Sequence, residues 1–71
     1  MAKNYVEKLR VKQGLTQAEL ARRCGMDAAT LRRIEGGKQC RVDTAKKLVV
    51  GLGFQWEAGV KDVFPNGWDG K

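Results

Sequence analysis

Ala21 and Gly25 stand four residues apart between two short stretches of helical patterning, residues 17–24 and 28–35, and no other pair constrains the chain as much. Helices joined by only three or four residues cross at a steep angle where the contact residue is small and the turn accepts positive φ. Ala21 and Gly25 supply those two properties. Such a crossing also needs apolar side chains to fill the wedge beneath it, and Leu20, Cys24, Met26, Leu31 and Ile34 stand in the required places. Each residue alone is a weak signal, but seven positions agreeing within fifteen residues is a strong one. The boundaries are also punctuated. Thr16 and Glu19 have capping-box spacing, Gly25 suits a left-handed C-cap, Asp27 is a good N-cap and Gly36-Gly37 ends the second stretch.

The remaining patterning is helical too. Asn4 followed three residues later by Glu7 is a capping-box-like start, and Val6 and Leu9 precede the stop at Gly14, which predicts a first helix over about residues 5–13. Val42, Ala45, Leu48, Val49 and Leu52 form one stripe, so a fourth helix is expected over 42–51, with Gly51 and Gly53 marking its end. Beyond it, Phe54, Trp56, Val60, Val63 and Phe64 are interrupted by Gly59 and closed by Pro65. That pattern fits either a short fifth helix or an irregular, strand-like tail. Pro65-Asn66-Gly67 is a turn signal, and Trp68 to Lys71 read as a loose end. The expected fold is all-α: one domain over residues 1–71, a compact bundle of four to five short helices with its core at about 4–56.

A chain of 71 residues has room for one small core, which buries only about 60–65% of the unfolded surface. Some further source of stability is therefore expected. Cys24 and Cys40 are the only cysteines and histidine is absent, so one chain can build no four-ligand zinc site of Cys and His. The N-terminus has no apolar stretch of signal-peptide length, which points to a reducing cytoplasm and away from a disulfide. No apolar run is long enough to span a membrane. Helix packing and self-association remain. Trp56, Val60, Val63 and Phe64 exceed what a four-helix core obviously needs, which makes the tail, residues 57–71, a candidate dimer contact. Acidic residues are scattered singly, so no nucleophile–base pair or metal dyad can be proposed; an enzyme is not expected, and no cofactor is implied.

The charge is unevenly spread. Residues 1–47 carry twelve Lys/Arg against five Asp/Glu, whereas residues 48–71 carry two against three, within a total of +6. Basic charge gathered in one part of a chain with pI near 9.8 is the footprint of a polyanion binder, although a solvated lysine-rich face has the same composition.

The run Leu9-Arg10, Gly14-Leu15-Thr16-Gln17-Ala18-Glu19-Leu20-Ala21, Gly25-Met26, Leu31, Ile34-Glu35-Gly36-Gly37-Lys38, then Leu48 and Leu52-Gly53-Phe54 resembles the Cro/C1-type helix-turn-helix family. That family includes phage repressors and bacterial transcription regulators. The resemblance covers about residues 5–56; Cys40-Arg41-Val42 stands where the family often has a proline. It implies a five-helix, lambda repressor-like domain, usually dimeric, whose third helix enters the major groove. It also implies that Arg10 pairs with Glu35 beneath the DNA-facing loop, fixing the third helix rather than reading sequence.

On this reading Thr16 and Gln17 open the second helix, where amide groups can hold a phosphate oxygen; the resemblance implies a backbone contact for Gln17. With Leu31 and Ile34 inward, Ala28, Ala29, Arg32 and Arg33 are expected to face out and forward. Arginine can pair with guanine O6 and N7, and an alanine methyl can lie against the thymine methyl. Thr30 is either a phosphate donor or a hydroxyl bonded back to its own helix. Lys38, Gln39 and Arg41, in the loop beyond, are candidates for clamping the strand beside the groove. Arg22 and Arg23 face solvent or flanking phosphates, and Lys46 and Lys47 read as solvated surface. Cys24 reads as core, Cys40 as an exposed loop residue.

The resulting expectation is a cytoplasmic, nucleoid-associated, bacterial or phage-encoded regulator, repressor-like, bound as a homodimer to a two-fold symmetric operator on double-stranded DNA. Two rivals share the fold. One is an antitoxin that masks a protein partner through an apolar tail bearing Trp56, Phe64 and Trp68. The other is an architectural accessory factor of a mobile element, which bends DNA at recombination sites.

Overall fold

Helix α2 (Gln17–Cys24) starts where the sequence sets it. The Thr16 hydroxyl accepts from the Glu19 amide at 3.1 Å, and the Glu19 carboxylate accepts from the Thr16 amide at 2.8 Å. It ends at Gly25, whose φ of +73° is the left-handed value that a side chain would disfavour. After the turn, Asp27 Oδ1 accepts from the Thr30 amide at 2.8 Å and opens α3 (Ala28–Glu35). Leu20, Ala21, Leu31 and Ile34 are buried where the two helices meet. The bundle, a computed structural model that describes residues 4–68, is completed by α1 (Val6–Lys12), α4 (Val42–Gly51) and α5 (Trp56–Val63). No strand occurs among the described residues. Around the α2–α3 pair, α1 packs on α3, α4 on α2, and α5 on α4. One core runs through all five helices, from Val6 through Leu48 and Val49 to Val63.

The start of α1 corrects the expectation. Tyr5 takes the N-cap position without a side-chain hydrogen bond, and Glu7 is exposed. Asn4 is buried instead, its Oδ1 accepting from the Val6 amide at 3.1 Å and its Nδ2 donating to the Ile34 carbonyl at 2.7 Å. Tyr5 N donates to the Val63 carbonyl at 2.9 Å. Val6 is fully buried, which draws Asn4 inward, and a buried amide must find partners. Asn4 therefore ties α1 to the end of α3.

The tail is helical. Glycine costs an isolated helix about 1 kcal/mol relative to alanine, which is why Gly59 weakens the sequence signal. In the fold it lies against Phe54, where a Cβ would overlap the Phe54 Cβ, so the missing side chain lets α5 close onto the preceding loop. Val63 and Phe64 are buried in the chain's own core; Trp56 and Val60 pack against it and stay partly exposed. Much of the expected apolar surplus is thus consumed internally. Trp68 is not loose: its carbonyl accepts from Cys40 N at 2.9 Å, and its ring meets that of Trp56 edge-on at 5.1 Å. Residues 69–71, at the end of the expected tail contact, lie outside the described residues.

Arg10 and Glu35 form the pair expected from the resemblance. Arg10 Nε donates to Glu35 Oε2 at 2.7 Å, with side-chain exposures of only 12% and 5%. The guanidinium also donates through Nη1 to the Leu15 carbonyl at 2.8 Å, so one side chain holds α1, the α1–α2 loop and the end of α3 together. Charged donors and acceptors removed from water are costly to strand. Glu35→Ala is expected to destabilise by about 2–4 kcal/mol, and Arg33→Ala, exposed on the same helix, by no more than about 0.5 kcal/mol. Urea unfolding measures both, and equal midpoints would remove the structural role of Glu35.

The caps also set an acid limit. Asp27 is held below its ordinary value of 3.8 by hydrogen bonds from the Thr30 side chain and then its backbone. Glu19 is held below 4.5 by the Thr16 backbone and then its hydroxyl. A carboxylate depressed in the folded state stabilises above its unfolded pKa and loses that contribution as pH falls through the folded value. Urea midpoints should therefore be nearly flat above about pH 5 and decline towards about pH 3, and Asp27→Asn should flatten part of the decline. An identical acid decline in that variant would clear Asp27 of the effect.

Candidate nucleic-acid interface

The outer face of α3 is defined by what its inner face does. Leu31 and Ile34 are buried, and Glu35 turns inward to Arg10. Residues three and four positions apart share a face, so Ala28 belongs to the same inward stripe and packs partly buried against the core. This corrects the expectation that Ala28 faces outward. Ala29, Arg32 and Arg33 are exposed, with Ala29 and Arg33 one turn apart on the side opposite Leu31. Thr30 is half-buried on the flank, and its side-chain bond to Asp27 favours the local alternative for its hydroxyl.

Gln17 is half-buried at the first position of α2, and its Nε2 donates to Glu35 Oε1 at 2.9 Å. Glu35 Oε1 also receives Arg10 Nη2 at 3.4 Å. The residue expected at a phosphate is therefore also the third member of the structural pair. Its amide is oriented from below by Glu35, and Thr16, exposed beside it, is committed to the capping box. This link between the α2 terminus and α3 was not read from the sequence, because Gln17 looks like any polar first-turn residue.

Beyond α3 the chain turns through Gly36 and Gly37, whose amides donate to the Arg32 and Ile34 carbonyls at 3.0 and 2.9 Å. Lys38 N returns to the Arg33 carbonyl at 3.0 Å, and Arg33, Lys38 and Gln39 line one open depression. Arg41 is exposed at the N-cap of α4. Arg32, Arg33, Lys38 and Arg41 thus project from one helix and the loop that follows it. Arg22, Arg23, Lys46 and Lys47 are exposed on α2 and α4. Lys46, Lys47 and Arg23 share a separate groove that the α3 residues do not line.

The cysteines divide. Cys24 is buried, and burial pushes its thiol pKa up against the opposing charge of Arg23, which disfavours thiolate chemistry. Cys40 is not the exposed loop residue expected from the sequence; it is half-buried and packs on the core near Trp68. Two long-range anchors have no counterpart in the sequence analysis. Asn4 caps the end of α3, and Gln13 Nε2 donates to the Leu52 carbonyl at 2.7 Å, closing α1 onto the end of α4. Neither bond has a local signal, since each spans at least thirty residues of sequence.

A family model described as a helix-turn-helix domain matches residues 4–60, from Asn4 into α5. Nothing among curated proteins or solved structures matches the chain. Among the described residues, no helix is long and apolar enough to cross a membrane. The family binds DNA and is typically non-enzymatic. With α2 packed on α3 through a short turn, the exposed outer face of α3 and a family match over residues 4–60, the chain belongs to the helix-turn-helix family of Cro/C1 type.

Proposed function

We propose that this helix-turn-helix protein is a repressor-like transcriptional regulator that binds double-stranded DNA sequence-specifically through the outer face of α3. The observation that carries the reading is the division of α3 into two faces. Its inner face is fixed by Leu31, Ile34 and the Arg10–Glu35 pair, while Ala29, Arg32 and Arg33 stand exposed beside the cationic loop. A reading helix needs both properties: side chains free to reach base edges, and a backbone that does not shift when they do.

In this reading α3 enters the major groove. Arg33 pairs with a guanine edge and the Ala29 methyl lies on a thymine methyl. Arg32 and Thr30 flank the groove. The α2 N-terminus, with Thr16 and Gln17, holds a phosphate on one side, and Lys38, Gln39 and Arg41 clamp the strand on the other. Two copies related by a two-fold axis read a symmetric operator. Trp56, Val60 and Trp68 are partly exposed and available to such a contact. The rival in which an apolar tail masks a protein partner has less to work with than the sequence suggests, because Phe64 is buried in the chain's own core.

Selection of bound DNA from a random pool tests the reading, because it returns the sequence, its symmetry and the half-site spacing together. Binding to the selected site should weaken by about three to five decades between about 50 and 200 mM salt if some 6–10 phosphates are neutralised. A flat salt profile would count against nucleic acid as the main ligand. On that site, Arg33→Ala should cost about 1–3 kcal/mol and relax selectivity at one base pair per half-site. Lys38→Ala should weaken all sequences alike and lower the salt slope by about one per chain. If Arg33→Ala instead weakens every single-base variant by one common factor, Arg33 is a phosphate contact and does not read sequence.

A further inference from the structure

The loop from Gly36 to Arg41 carries three of the polar side chains assigned to the strand clamp, and the backbone of its first half is tied to the helix that precedes it. The amides of Gly36, Gly37 and Lys38 donate back to the Arg32, Ile34 and Arg33 carbonyls. The next backbone anchor is different in kind: Cys40 N donates to the carbonyl of Trp68, at 2.9 Å. Twenty-eight residues downstream of Cys40, the chain has passed through α4 and α5 and turned back. Phe64, buried in the core, starts that turn, and Gly67 N donates to its carbonyl at 3.1 Å. The turn brings Asn66, Gly67 and Trp68 opposite Gly37, Lys38 and Gln39 across a cavity of about 210 Å³. Trp68 is kept there by edge-on packing against Trp56, at the first turn of α5, and by contact with the core.

We infer that the Phe64–Trp68 segment is a strap that sets the position of the α3–α4 loop, and that Trp68 is thereby a positioning residue for DNA binding although it belongs to no part of the helix-turn-helix. The inference rests on the DNA-binding reading of Lys38 and Arg41. Its physical content is simple. A cation reaches a phosphate with full effect only if its backbone is held where the strand passes, and an unheld loop loses part of that contact to conformational entropy. Lys38 and Arg41 flank Cys40, so the point at which the strap grips the loop lies between the two cations. The strap should act on the phosphate clamp and leave base reading by α3 untouched, because α3 is fixed separately through Glu35 and Arg10.

The test uses Trp68→Ala and Trp68→Phe in the full chain, with two readouts. Hydrogen exchange needs no DNA: the Cys40 amide should be protected in the wild type, exchange faster in Trp68→Ala and recover in Trp68→Phe, while the amides of α2 and α3 keep their protection. On the selected operator, Trp68→Ala should lose about tenfold in affinity for every sequence alike, with a shallower salt slope and an unchanged order of base preference, as expected for one or two weakened phosphate contacts per chain. Trp68→Phe should restore most of the loss. Unchanged Cys40 exchange in Trp68→Ala overturns the strap, and altered exchange with unaltered affinity overturns its role in binding. A change in base preference also overturns it, since the strap would then act through α3. Should the wild type bind no DNA, the functional reading falls, and the exchange experiment still reports separately on the strap. If Trp68→Ala unfolds, Trp68→Leu, which keeps apolar bulk and loses the ring contact, is measured in the same two assays with the same outcomes deciding.

Discussion

Everything that α3 can do depends on one carboxylate being held from below. Glu35 is the last residue of α3, its side chain is almost removed from water, and it receives Arg10 from α1 and Gln17 from α2. Ala21, small and buried, is where α2 and α3 come together. Leu31 and Ile34 hold the middle of α3 in the core, and the end of the helix needs its own attachment. The pair gives that attachment, and it does so with charge rather than bulk, which imposes direction: a forked guanidinium accepts few orientations of its partner. The arrangement is more demanding than apolar packing and less forgiving of loss, a trade that suits a helix whose orientation matters more than its contribution to stability.

The sharing of Gln17 between this pair and the start of α2 gives the interface a mechanical continuity. The residue at the helix terminus proposed to meet phosphate touches the residue that fixes the end of α3. The start of α2 and the orientation of α3 are therefore properties of one connected cluster. Asn4 extends that cluster to the N-terminal segment by bonding to the Ile34 carbonyl, one residue before Glu35.

Legibility in the sequence followed the range of the interactions. The capping box at Thr16 and Glu19, the left-handed Gly25, the Asp27 cap and the bounds of α2, α3 and α4 are all local, and each was readable because its partners lie within about one helical turn of each other. Arg10 with Glu35 is not local, and only the family resemblance pointed to it. Asn4 was misread as a helix cap because burial overrode its local preference. Ala28 departs from its expected outward position because the inward stripe of α3 includes Glu35 as well as Leu31 and Ile34. Gly59 argued against α5 until Phe54 was seen to occupy the space a side chain would need. Of the candidate interface residues, the exposure of Ala29, Arg32, Arg33, Lys38 and Arg41 followed from charge and periodicity. The bond from the Cys40 amide to the Trp68 carbonyl, in the loop that carries Lys38 and Arg41, has no such signal, because nothing in Trp68 itself announces a partner at Cys40.

The shortness of α3 has an informational consequence. Eight residues at about 1.5 Å per residue make a rod of about 12 Å, which spans about four base pairs of duplex. A word of that length recurs by chance every few hundred base pairs, whereas a genome presents about 10⁶–10⁹ competing positions. No improvement in the chemistry of its side chains lets one such helix name a unique address. Additional letters have to come from outside it, from a second helix at a fixed spacing or from the stiffness of the DNA between, and the spacing itself then becomes part of the message.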